Sequence, residues 1–228
     1  MADRKAGLRR REYHRTARQL AFATGLTGVA GYLDAIGFAE LNNLFVSFMS
    51  GNTTRLGTAI ANGDLDVVGL SARIIGAFLV GAALGGFISV RARHVIRRVL
   101  QFEIALLAAA CALLATGWTQ PTMLIVAAAM GLQNACFLTV SGAIIGRTFL
   151  TGAVVSFGQG LGRALAGRGD LAQTMVYAMS WLAFIGSVAI GAAVWHLLGL
   201  MASLMAAAGM VAVLLVLGWS EDSRTTLS

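Results

Sequence analysis

The sequence predicts an all-α integral membrane protein: about six transmembrane helices plus two broken or re-entrant segments, set out as two inverted pseudo-repeats. Three observations lead there. The 228 residues are 57% hydrophobic and only 12% charged, where a water-soluble domain carries about a quarter charged residues. Basic residues cluster in short segments beside apolar stretches. Similar short blocks recur in the same order in both halves.

The basic clusters come first along the chain. The net charge is +7, yet seven of the 17 Lys and Arg residues lie before residue 19, and four more sit in RARHVIRR at 91–98. That pattern is the signature of cytoplasmic flanks rather than of nucleic-acid binding. The alternative role for such flanks is binding to anionic membrane lipid. The stretch from Leu20 to about Phe38 carries Asp34 and suits a first spanning helix better than a short signal core.

The recurring blocks follow. GYLDA at 31–35 resembles GLQNA at 131–135, 100 residues on. MSGN at 49–52 resembles LTGA at 150–153, and GAFLVGAAL at 76–84 resembles GSVAIGAAV at 186–194, an offset of 110. Each half reads as four apolar segments: 21–39, 44–61, 69–90 and 101–117, then 122–140, 143–162, 174–196 and 199–218. The domain division is a basic cytoplasmic tail at 1–19, a first membrane repeat at 20–118, a second at 119–219, and a cytoplasmic tail at 220–228.

Charge selects the topology. If all eight segments crossed, the four arginines of RARHVIRR would lie outside, against the positive-inside rule. If the second segment of each half dips in and returns, 15 of the 17 basic residues fall on the cytoplasmic side, Arg55 and Arg73 excepted. Both termini are then cytoplasmic, and the expected location is a bacterial inner membrane. The second segments hold the polar runs MSGNTTR and LTGAVVS. Irregular backbone at membrane depth persists only inside protein or beside a water-filled cavity, and interrupted helices in inverted repeats recur in transporters.

The combination GYLDAIGF, FMSGNTTRLG, GLQNA and LTGAVVSFGQGL resembles the YoaK-like family of bacterial membrane proteins over about residues 20–200. Asp34-Ala35, Met49, Gly51-Asn52, Gln133-Asn134-Ala135 and Thr151-Gly152 match the family pattern, and Ser50 stands where the pattern has Thr. The resemblance implies a membrane class and supplies neither substrate nor catalytic residues.

Candidate chemistry rests on few groups. Asp34 reads as the only acid well inside an apolar span, with Glu40 and Glu103 near span ends. Intramembrane ionisable groups mark pathways and proton relays; the competing reading is a structural pairing with Arg55, Arg73 or a backbone amide. Asn134 takes the duplicate position, beside Gln133. Ser50, Gly51, Asn52 and Thr53 offer hydroxyl, amide and backbone partners to a small solute or ion, and Ser50, Gly51 and Asn52 are expected to meet Thr151 and Gly152 near the bilayer centre. His14, His94 and His196 are dispersed, and Cys111 and Cys136 show no metal-ligand spacing, so no metal or cofactor is expected. No catalytic motif points to an enzyme. The expected function is a small-solute or ion transporter, with proton coupling open to it through Asp34; the alternatives are a passive channel and a non-transporting membrane subunit or sensor. Self-association into a homo-oligomer is compatible with either.

Overall fold

The computed structural model describes residues 2–136, 138–140, 143–145 and 150–225, with side-chain surroundings for 20–136 and 150–218. It is helical almost throughout. The helices are α1 (Ala2–Glu40), α2 (Met49–Asn62), α3 (Leu65–Arg91), α4 (Val95–Leu114), α5 (Thr119–Gln133), α6 (Leu150–Leu165) and α7 (Leu171–Thr225). Between α5 and α6, β1 (Leu138–Val140) pairs antiparallel with β2 (Ala143–Ile145), Thr139 opposite Ile144.

Local chemistry sets the element ends. After α1 the chain turns at Asn42 and Asn43, both at positive φ (52° and 63°), a conformation that Asn adopts more readily than most side chains. Gly63 closes α2 in the left-handed conformation, its N–H directed at the Ala59 and Ile60 carbonyls, as helix C-termini favour. Asp64 then caps α3 by accepting from the Val67 amide, satisfying an N–H the helix cannot. Gly199, at φ 79° and ψ 177°, breaks α7 into two arms.

Several segment boundaries differ from the sequence reading. The polar run of 44–61 begins as a loop, and its helix starts only at Met49. The segment expected at 122–140 is helical over Thr119–Gln133 and then becomes the hairpin. The helix expected at 101–117 starts at Val95, so Arg97 and Arg98 lie in its first turn. The stretch expected as a tail at 1–19 is, from Ala2 on, part of α1.

Among the described residues three helices are long and apolar enough to cross a membrane: 20–40, 65–91 and 171–218. The last is broken at Gly199 and supplies two crossings' length of chain. α2 and α6, at 14 and 16 residues, reach about 21 and 24 Å at 1.5 Å per residue, short of the roughly 30 Å hydrocarbon core.

The helix directions follow from contacts at several levels. Val176 clusters with Ala23, and Trp195 Nε1 donates to Glu40 Oε1 at 2.6 Å, so the first arm of α7 runs parallel to α1. Phe22 lies against Gly218 and Leu214 against Gly25, so the second arm runs antiparallel to α1. α4 and α5 are antiparallel, since Thr122 reaches the Ala110 carbonyl and Gln133 reaches Glu103. α2 packs on α3 and α6 on α7. The central core gathers Leu26, Leu33 and Ile36 of α1, Ile74 of α3, Leu100 and Leu107 of α4, Met123 and Met130 of α5, and Leu204 and Val211 of α7.

Two helix crossings are close enough to require glycine. A β-carbon on Gly191 would lie 2.5 Å from the Tyr32 carbonyl oxygen, and one on Gly31 would lie 2.8 Å from that of Phe184. Where α3 crosses α5, a β-carbon on Gly81 would strike the Ala128 carbonyl and one on Gly131 that of Phe78. Small residues permit such backbone approach within membranes.

Candidate functional site around Asp34

Asp34 is buried, 2% exposed, six residues before the end of α1. The loop after α1 folds back along the helix to reach it. Its approach is close at Gly37, where a β-carbon would lie 3.0 Å from Val46 Cγ1 and 3.1 Å from Val46 N. There Ser47 donates twice: its backbone N–H to Asp34 Oδ1 at 2.7 Å and its hydroxyl to Oδ2 at 2.6 Å. These short distances are those of charge-assisted hydrogen bonds. Leu41, Leu44 and Val46 of the same loop are fully buried, which anchors it by apolar contact as well.

Asn52, itself 0% exposed, holds the loop from the other side. Its Oδ1 accepts from the Phe45 amide at 2.9 Å and its Nδ2 donates to the Phe45 carbonyl at 2.7 Å. One side-chain amide thus replaces the strand-like pairing that an irregular backbone lacks. Gly51 sits under the rings of Phe48 and Phe45, 2.7 and 3.2 Å from a notional β-carbon, and those two rings pack edge to face with centroids 5.5 Å apart.

The structure therefore brings Asp34, Gly51 and Asn52 to one loop, and the link between them is Ser47 with Phe45. The structural pairing of Asp34 is with a backbone amide and a hydroxyl; among the described residues it makes no ion pair with Arg55 or Arg73. Arg73 Nε donates to its own helix at Gly69. Ser50 and Thr53 face outward on α2, and the Thr53 hydroxyl bonds to the Met49 carbonyl at 2.8 Å.

The second-half candidates lie elsewhere. Thr151 and Gly152 are exposed at the start of α6, and α2 and α6 are not among the helix pairs that pack on each other. The expected meeting of the two turns is not what the described residues show: each short helix is held by its own long neighbour. Asn134 Nδ2 turns back to the Met130 carbonyl at 2.8 Å.

Gln133 reveals what the sequence reading missed. Its Nε2 donates to Glu103 Oε1 at 2.9 Å, with both residues essentially sealed from solvent (1% and 0%). Glu103 is thus a second buried acid, and the expectation that Asp34 stands alone is corrected. Its depth is legible only once the helix is seen to start at Val95 rather than at residue 101. Ser47 carried no signal in the sequence beyond its place in an apolar run. Among the described residues no group of three or more His, Cys, Asp and Glu side chains is placed to hold a metal ion.

These features define a helical integral membrane protein with two buried carboxylates, one held by a loop and one by a neighbouring helix. The comparisons place it more narrowly. The description "protein of unknown function (DUF1275)" matches residues 22–217, and the chain belongs to that family, in keeping with the YoaK-like resemblance of its motifs. It is 35% identical over 173 residues to the UPF0700 transmembrane protein RA0705 of Rhizobium meliloti (strain 1021), covering 76% of this chain and 74% of the relative. No solved structure matches.

Proposed function

We propose that the protein is a transporter of a small solute or ion in the bacterial inner membrane, built from two inverted repeats with the site between them. One observation carries this reading: the two glycine crossings are reciprocal. Gly31 of α1 meets Phe184 of α7, while Gly131 of α5 meets Phe78 of α3. Gly28 meets Ser187, while Gly81 meets Ala128; Gly191 meets Tyr32, while Gly85 meets Leu132. A shift of 100 positions carries α1 onto α5 (31 to 131), and a shift of 106 carries α3 onto the first arm of α7 (78 to 184).

The second shift revises the block alignment by residue type, which paired 76–84 with 186–194. The contacts match Ala77-Phe78-Leu79 with Ala183-Phe184-Ile185 and Gly85 with Gly191. The difference of four residues is one helical turn. A Gly/Ala-rich helix looks alike after such a slip, so residue type alone picks the wrong turn.

The helix directions supply the inversion. α1 and the first arm of α7 run one way; α3 and α5 run parallel to each other and belong to the opposite set if the short helices return to the side they left. RARHVIRR then shares a side with the basic N-terminus, as the positive-inside rule asks. Inverted repeats with interrupted helices are a recurrent transporter plan, and this step is an analogy of architecture. Membrane lipid and a small solute or ion are the partners it implies.

Reconstitution into liposomes tests the proposal. Solute or ion accumulation driven by a pH gradient is the expected result. Passive equilibration alone selects a channel, and complete inertness across a broad screen of ions and small solutes overturns transport in favour of a membrane subunit or sensor.

A further inference from the structure

We propose that Asp34, Ser47 and Asn52 form a proton-released latch that closes the outer end of the bundle. The proposal rests on the topology given under the proposed function and adds to it the group that gates. Ionised, Asp34 is an acceptor only, and it takes both donors of Ser47 at 2.7 and 2.6 Å. The loop cannot leave while the charge remains, because departure would strand a carboxylate in apolar surroundings. A proton on Asp34 removes that obligation. The neutral acid is a weaker acceptor from the Ser47 N–H, and at Oδ2 its own O–H can donate to the Ser47 hydroxyl, so both contacts lose the charge that strengthened them.

Asn52 determines what moves. Its amide does not titrate, and its two bonds to Phe45 join the loop to the start of α2. Freed from α1, the loop and the N-terminal turn of α2 travel together. The surroundings leave Asp34 as the responsive group. On α1, Tyr32 is buried and Glu40 is hydrogen-bonded to Trp195. The loop 41–48 carries no ionisable side chain, and neither do α5, apart from its flanking Cys136, nor β1. The charged residue of α2 is Arg55, and the titratable residues on the first arm of α7 are Tyr177 and His196, the latter exposed beside Trp195. Asp34 forms no ion pair with any of them among the described residues.

The other half cannot build the same device. The position equivalent to Asp34 is Asn134, bonded to its own helix, and the position equivalent to Asn52 is Ala153. The latch is therefore one-sided, which is what a coupled transporter needs if protonation is to act from one face.

The test is thiol accessibility in a background lacking Cys111 and Cys136. The reporter is V46C, in a position 0% exposed; the reference is L65C, 79% exposed at the start of α3. A membrane-impermeant maleimide is applied to right-side-out vesicles, and V46C labelling is divided by L65C labelling to cancel the pH dependence of thiol reactivity. From about pH 8 to about pH 4, across which carboxyl groups take up protons, the ratio rises about tenfold or more, as the loss of one hydrogen bond to a charged group would give. With D34N it is high throughout. With S47A, which keeps the carboxylate and removes one donor, the rise occurs at higher pH. A ratio that stays low and flat in both the parent and D34N overturns the latch, as does a high D34N ratio with no pH response in the parent. If D34N fails to fold, the S47A midpoint alone decides, and an unmoved midpoint overturns the proposal. Labelling of L65C only from the cytoplasmic face overturns the topology instead, and so distinguishes the two failures.

Discussion

Gly191 offers the most direct test of the helix crossing on which the architecture depends. Substitution by Ala places a β-carbon 2.5 Å from the Tyr32 carbonyl oxygen, 3.0 Å from its α-carbon and 3.1 Å from its carbonyl carbon. All three are backbone atoms, so no rotamer change relieves the clash. α1 and α7 must separate by several tenths of an ångström. Overpacking of this kind costs about 1–3 kcal/mol. Against it stands the helix preference of Ala over Gly, about 1 kcal/mol, and the two effects nearly cancel at the low end. Gly186 removes that ambiguity. It lies on the same arm of α7 with nothing within 4 Å of a notional β-carbon, so Gly186→Ala gains the same propensity without the clash. The difference between the two variants isolates the packing term. At about 2–4 °C per kcal/mol for a chain of this size, Gly191→Ala melts roughly 2–12 °C below Gly186→Ala, measured as loss of the monodisperse peak by fluorescence-detected size exclusion in detergent. Midpoints that agree within about 1 °C, a shift below what about 1 kcal/mol produces, would refute the close crossing.

Asn52→Ala leaves the Phe45 N–H and C=O without their partner, at about 1–3 kcal/mol for each buried group left unsatisfied; the Phe45 amide then exchanges hydrogen faster by mass spectrometry, and unchanged exchange counts against the clasp. Glu103→Ala takes away the acceptor of the Gln133 amide, while Glu103→Gln keeps an oxygen there, so the Ala variant is the less heat-stable of the two; equal midpoints contradict a structural role for this bond. His94→Cys, in the background without native cysteines, is labelled from the cytoplasmic face only, and labelling from the opposite face restores the topology in which every segment crosses.

The class of fold was legible because it rests on bulk quantities. Apolar content, clustered arginines and the length of apolar runs survive errors of a few residues, and a mean hydropathy of +0.77 leaves few alternatives. Asp34 and Asn52 were legible for a related reason: a carboxylate and an amide amid Phe, Val and Met demand an explanation. What they bind was not legible. A backbone amide was among the structural partners the sequence allowed Asp34, but not which one: it is that of Ser47, thirteen residues on, reached because Asn42 and Asn43 reverse the chain. Glu103 escaped because a run of arginines hid the first turn of α4, so an acid two turns inside the helix looked like one at its edge. The hairpin at 138–145 escaped because LTV and AII are as apolar as a helix, and periodicity cannot separate strand from helix over so few residues.

On the repeat proposed here, residues shared by the two halves and residues that differ fall into two physical groups. Where helix backbones touch, the halves agree: Gly31 with Gly131, Phe78 with Phe184, Gly85 with Gly191. A crossing this close needs glycine on one partner or the other: Gly28 meets Ser187 in one half and Gly81 meets Ala128 in the other, so the glycine changes partner while the contact is kept. Where side chains reach into the loops, the halves disagree: Asp34 against Asn134, Asn52 against Ala153, Leu33 against Gln133. Those disagreements alter hydrogen bonding rather than the helix crossings. They place one buried acid on α1, held by the loop before α2, and another on α4, held by α5. An exact duplication would present identical chemistry to both faces of a membrane and could not tell one from the other. The observed pattern keeps the packing symmetric and the polar chemistry asymmetric, so a directional response can arise on a two-fold frame without disturbing the contacts that hold it together.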